Sequence, residues 1–165
     1  MNQGIDTKNS SGFRKLRFET IDACIAEVHR IADAAEQGRL STTGNWTPGQ
    51  ILSHLAAWIN YAYDGFPMRK APWFIRWMLK WRLPAMLRTG MPRGIRIPGA
   101  KQGTFGMDDL PTREALERYL KALQRLASNE VAPHDSPAFG ALTHEERIQL
   151  NLRHAELHLG YFSYA

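Results

Sequence analysis

At 165 residues, with 44% apolar content and a net charge of +5, the chain is long enough to bury a hydrophobic core as a single domain without covalent staples. Cys24 is the lone cysteine, which excludes an intramolecular disulfide and a thiolate metal cage and fits a cytoplasmic setting. The polar start MNQGIDTKNSSGF lacks a secretory h-region and no apolar run approaches the ~18 residues of a membrane span, so a soluble protein is expected.

Residues 1–12 show no pattern that could bury them and read as a disordered leader, with residues 13–165 as one domain. From Thr20, IDACIAEVHRIADAAEQG places Ile21, Ile25, Val28 and Ala32 on one face and closes on Gly38, which predicts a first helix over about 20–37. In WTPGQILSHLAAWINYAYDG, Thr47 is an N-cap, Pro48 the first helical residue and Gln50 the reciprocal capping-box partner of a second helix running to about Tyr63. Between Asp64 and Asp108 lie 43 residues with nine Lys or Arg and no acid, a basic insert that can steer anions or contact phosphates. Within it, Pro72 to Leu83 predicts a short helix with Trp73, Trp77 and Trp81 at four-residue spacing, interrupted by Pro84. Its apolar residues cover most of the helical wheel and leave Arg76 and Lys80 as a narrow polar edge. That pattern predicts a lid packed over the other helices with its indoles buried; a dimer contact and a membrane-interface helix are the alternatives. Beyond Arg88, TGMPRGIRIPGAKQGTFG reads as loop.

A third helix follows, with Thr112 as cap and Leu116, Leu120, Leu123 and Ala127 as its buried stripe. After the loop APHDSPAFGAL, a capping box of Thr143 and Glu146 opens a fourth helix that continues nearly to the last residue. No segment alternates as a strand, and there is no repeat or heptad run. The expected fold is an all-α four-helix bundle with the long Trp-rich insert between helices 2 and 3.

The fourth helix carries His154 and His158 in NLRHAELHLGYF. Residues four apart on a helix have Cβ atoms ~5–6 Å apart, so both imidazoles can reach one metal ion, and a third ligand must come from another helix. His54 is the candidate, because Ile51, Leu55 and Trp58 flank it rather than charges. The plainer alternative is that such a His pair is exposed or hydrogen-bonded. HAELH is not the zincin HExxH, and Glu156 points away from the pair, which argues against a metalloprotease base. Three neutral imidazoles leave a divalent cation its full charge and an open position that can lower the pKa of bound water toward ~7 or hold a thiolate. The donor set suits Zn, Ni, Fe or Cu. Asn151 and Tyr161, at helical spacing from His154, and Trp58, one turn after His54, are candidate pocket residues; His134 in the APHDSP loop is a candidate acid or base. His29 reads as a boundary residue, His144 as solvated and Cys24 as a small buried thiol.

The segments WTPGQILSHLAAW, with His54, and HAELH, with His154 and His158, resemble in order and spacing the DinB-like superfamily of helical bundles, which includes the YfiT-type metal-dependent hydrolases. The insert and PAFGALTHEE resemble a domain-of-unknown-function branch of it, and the likeness spans residues 13–164. The resemblance implies a four-helix bundle, often dimeric, with a divalent metal such as Zn, Ni or Fe on His54, His154 and His158. It also implies chemistry on a low-molecular-weight thiol, such as bacillithiol transfer or mycothiol-dependent isomerisation of maleylpyruvate. The basic insert departs from many members and would change the mouth of the site. The function expected is a metal-dependent thiol transferase or hydrolase that activates water or thiol against a small substrate. A non-catalytic metal-binding module and a protein contacting anionic surfaces through the insert are the alternatives. Nucleic acid is disfavoured, since no RNP, helix-turn-helix or zinc-finger signature appears.

Overall fold

A computed structural model describes residues 7, 10–95, 97, 100 and 103–164. Helix α1 spans Ile21–Glu36, strand β1 Ser41–Thr42, helix α2 Pro48–Asp64, helix α3 Trp73–Thr89, helix α4 Thr112–Ala127, helix α5 His144–Leu159 and strand β2 Phe162–Ser163. Three of the helices begin where a side chain satisfies their free N–H groups. Thr20 accepts from Ala23 N, and Thr47 with Gln50 and Thr143 with Glu146 form complete capping boxes.

The fold is mostly helical. Helix α4 packs against α1 and α2, and α5 packs against the same two, so the four close around one apolar core that includes Val28, Leu52, Leu123 and Leu152. On α1 the buried face is centred on Cys24, Val28 and Ile31, while Ile25 and Ala32 are only partly buried. Polar groups fasten the outside of this core. Glu27, 3% exposed, receives Arg14, Arg30 and the Tyr164 hydroxyl, tying α1 to both ends of the described chain. Arg153 pairs with Glu156 at 2.8 Å, and Glu156 in turn accepts from Phe18 N, which turns this carboxylate away from the histidines as expected.

Several expectations need correction. The chain contains a two-stranded antiparallel sheet, Ser41 opposite Ser163 and Thr42 opposite Phe162, which two-residue strands cannot announce by alternation. Helix α5 therefore ends at Leu159 and does not run nearly to the last residue, because the carbonyls of Gly160 and Tyr161 are taken by Arg14 N and Thr43 N. Thr112 is the first residue of α4 rather than its cap; Pro111 takes that place and makes no side-chain hydrogen bond. The buried stripe of α4 keeps Leu116 and Leu123 but adds Tyr119 and Leu126, with Ala127 exposed. Of the expected leader, most residues lie outside the described ones. Thr7 accepts from the Tyr161 hydroxyl and Ser10 donates to Thr43 O.

The largest departure is α3. Pro84 does not interrupt the helix, which continues to Thr89. A proline costs the hydrogen bond to the carbonyl four residues back and crowds it. Here tertiary contacts hold the second half instead: Leu83 is 1% exposed, burial that contributes roughly 1.5–3 kcal/mol, and Arg153 and Arg17 donate to the carbonyls of Leu87 and Arg88. The helix does lie against α5, but its indoles are not the buried face: Trp73, Trp77 and Trp81 are 71–79% exposed. Among the described residues no helix is long and apolar enough to cross a membrane.

Candidate metal centre

Helix α2 is buried along most of its length, so His54, 2% exposed, projects among core residues toward α5. Helix α5 presents His154 and His158 on the facing side, one turn apart, as their spacing requires. One ring nitrogen from each of the three lies within 4.8 Å of the others, an arrangement that could hold a metal ion. The Nε2 atoms of His54 and His154 are 3.1 Å apart, and the ring centroids are 4.7–4.9 Å apart and steeply inclined. Two nitrogens bound to one tetrahedral zinc at ~2.0–2.1 Å stand about 3.3 Å apart, so little rearrangement separates this geometry from a coordinating one.

The protonation states suit that role. Burial pushes His54 down to about 4, against a smaller opposing effect of its hydrogen bond to Phe105 O. Burial likewise holds His154 and His158 well below the ordinary histidine value, and the neighbouring imidazoles add to the effect. All three rings are therefore neutral at pH 7 and each offers a lone pair. For His54 the tautomer follows from its partner: a carbonyl can only accept, so Nδ1, 2.8 Å from Phe105 O, carries the proton and Nε2 is left to bind.

Phe105 reaches this position because the segment before α4 lies directly on α2. A Cβ on Gly49 would sit 1.9 Å from Leu110 O, and one on Gly106, where φ is +78°, would sit 2.5 Å from Ala57 Cβ. Only glycine allows that approach. Thr47 adds a hydrogen bond to Asp109, and the Trp58 indole shares the Phe105 carbonyl with His54. Trp46 closes the other side, stacked on His158 at 5.1 Å and edge-on to His54 at 5.2 Å. Aromatic walls on two sides hold the rings in place.

The cluster faces a cavity of about 410 Å³ whose wall is largely apolar, with Ile51, Phe66, Met86, Phe139 and Leu150 among its residues. Of the residues expected there, Trp58, Asn151 and Tyr161 do line it. His134 does not: it is exposed, and its backbone N–H donates to Ala62 O at the end of α2. His29 and His144 are exposed, and Cys24 is buried with its thiol 3.5 Å from the Tyr119 hydroxyl, pushed up to about 12 mainly by burial.

Sequence reasoning missed Arg147. It lines the cavity at 6% exposure, burial lowers its pKa, and among the described residues its guanidinium forms no ion pair. The signal available was its spacing, since Arg147, Asn151, His154 and His158 follow one face of α5. The carbonyl of Phe105 and the stacking role of Trp46 left no comparable mark.

No curated protein and no solved structure matches the chain. A family described as proteins of unknown function, DUF1569, matches residues 10–164, nearly the whole sequence. The chain belongs to the DUF1569 family.

Proposed function

We infer that His54, His154 and His158 bind one divalent cation and that the protein is a metal-dependent enzyme activating a water or thiol nucleophile. The observation that carries this reading is the convergence of three neutral imidazoles, His54 buried and His154 and His158 partly buried, on one wall of a cavity. The likeness of the motifs to DinB-like proteins agrees with it, as does the closure of α1, α2, α4 and α5 around one core with α3 attached as an insert. A cation held by three imidazoles would supply Lewis acidity and an open coordination position beside the cavity.

The chain's own residues then have distinct tasks. The Phe105 carbonyl fixes the His54 tautomer and raises its basicity as a ligand. Trp46 and Trp58 keep the rings from rotating. The apolar wall receives the body of a small substrate, and Arg147, which makes no ion pair among the described residues, receives an anionic group on it such as a carboxylate. The cavity in front of the cluster favours an open catalytic site over a closed structural one.

Calorimetric titration of the metal-stripped chain with Zn, Ni and Fe(II), paired with assays for thiol conjugation and ester hydrolysis, tests the proposal. One equivalent should bind, activity should appear with it, and His54→Ala and His158→Ala should each lower affinity at least 100-fold. Binding that azide or cyanide cannot perturb, without turnover, would instead assign a closed, non-catalytic metal module. A wild type that takes up no metal overturns the proposal.

A further inference from the structure

Helix α3 is mounted with its sides reversed. Its narrow polar edge faces inward, where Lys80 Nζ lies 2.8 Å from both carboxylate oxygens of Glu146 and 3.1 Å from Ala141 O, while the Arg76 guanidinium packs on Gly140. The opposite face turns outward, with Trp73 at 79%, Trp77 at 71% and Trp81 at 74% exposure, beside Phe74 at 56% and Met78 at 46%. Indoles at i, i+4 and i+8 fall on one side of a helix. Each can bury roughly 150–250 Å², so three together reach the size of patch that marks an interaction site.

Charge decides what covers this face. Residues 65–107 contain nine Lys or Arg and no acid. Among the described residues the exposed Arg69, Arg82 and Arg88 form no ion pair, and the last two follow the third indole on α3 itself. A second copy placed across this face would oppose like charges with no acidic residue of the helix to offset them. An anionic bilayer answers both halves of the pattern: indoles settle at the level of the headgroups, and guanidinium groups meet lipid phosphates and carboxylates. Met86 and the segment after the helix, including Met91 and Ile95, also line the cavity, so a docked α3 would set the cavity beside the lipid.

We propose that the Trp73, Trp77 and Trp81 face of α3, with Arg82 and Arg88, docks the protein on an anionic membrane surface, resting in the interface rather than crossing it. This is independent of the metal centre and stands or falls without it.

The test is sedimentation of the full chain with vesicles of phosphatidylcholine alone or of phosphatidylcholine and phosphatidylserine in equal parts. The wild type should pellet with the anionic vesicles, more weakly as salt is raised, and with a blue shift of tryptophan emission. Combined Trp73→Ser, Trp77→Ser and Trp81→Ser should weaken binding at least tenfold, and Arg82→Glu with Arg88→Glu should abolish the preference for anionic lipid. Circular dichroism melts of both variants should match the wild type, since the side chains are exposed. Failure to bind anionic vesicles at low salt, or binding unchanged by the triple substitution, overturns the proposal. So does a wild-type dimer that the triple substitution makes monomeric, or tight binding of a single-stranded oligonucleotide without binding to vesicles.

Discussion

His54 shows how a residue's surroundings fix its state. Its ordinary value is 6.5, and burial in the folded chain brings it to about 4. A histidine depressed in this way contributes no penalty above the unfolded value; as pH falls through 6.5 toward 4, the unfolded chain takes up a proton that the folded chain refuses. Stability of the metal-free protein should therefore drop across that window, by about 3 kcal/mol from His54 alone at 1.36 kcal/mol per pKa unit. Urea titrations with a chelator between pH 7 and 4 will measure the drop, and His54→Gln should make it shallower while His154 and His158, depressed in the same way, keep their share; equal slopes in both proteins would contradict the assigned burial. At this scale the sequence was most informative where chemistry and periodicity coincide. His154 and His158 announce themselves by spacing and His54 by apolar flanks, whereas Arg147 follows Glu145 and Glu146 in the charged start of α5 and has no neighbour that marks it as buried. The Phe105 carbonyl is backbone and has no residue type to read.

Between elements, the contact that matters most is the seating of the segment before α4 on α2. It depends on Gly49, which the sequence presents only as part of a capped helix start. Gly49→Ala would drive a methyl into the Leu110 carbonyl, displace the segment and loosen the hydrogen bond from His54 to Phe105. A loss of roughly 1–3 kcal/mol is expected from such overpacking, together with weaker metal binding; chemical denaturation and metal titration of the variant should show both, and a variant matching the wild type in both would refute this coupling. Helix starts at Thr20, Thr47 and Thr143 were legible because capping is local. The path of α3 through Pro84 was not, because Leu83 and the arginines that support it come together only after folding. The exposure of its indoles was hidden for a related reason. A helical wheel shows an apolar majority and a polar edge, but only Glu146 across the way reveals that the edge is the docking side.

For the whole molecule, α2 and α5 bring the three imidazoles together in the core, and α3 carries an exposed aromatic face beside the same cavity. The mostly helical class followed from the amphipathic stripes, while the small sheet depends on the connection between α1 and α2 meeting the segment after α5, which no local pattern encodes. Whether the three imidazoles share one cation decides the reading of the site. Anomalous diffraction at the metal edge, from crystals of the metal-loaded protein, addresses it directly. A single peak bonded at ~2.0–2.2 Å to nitrogens of His54, His154 and His158 is expected; a peak elsewhere, or loaded protein with these three rings unbound, would refute shared coordination.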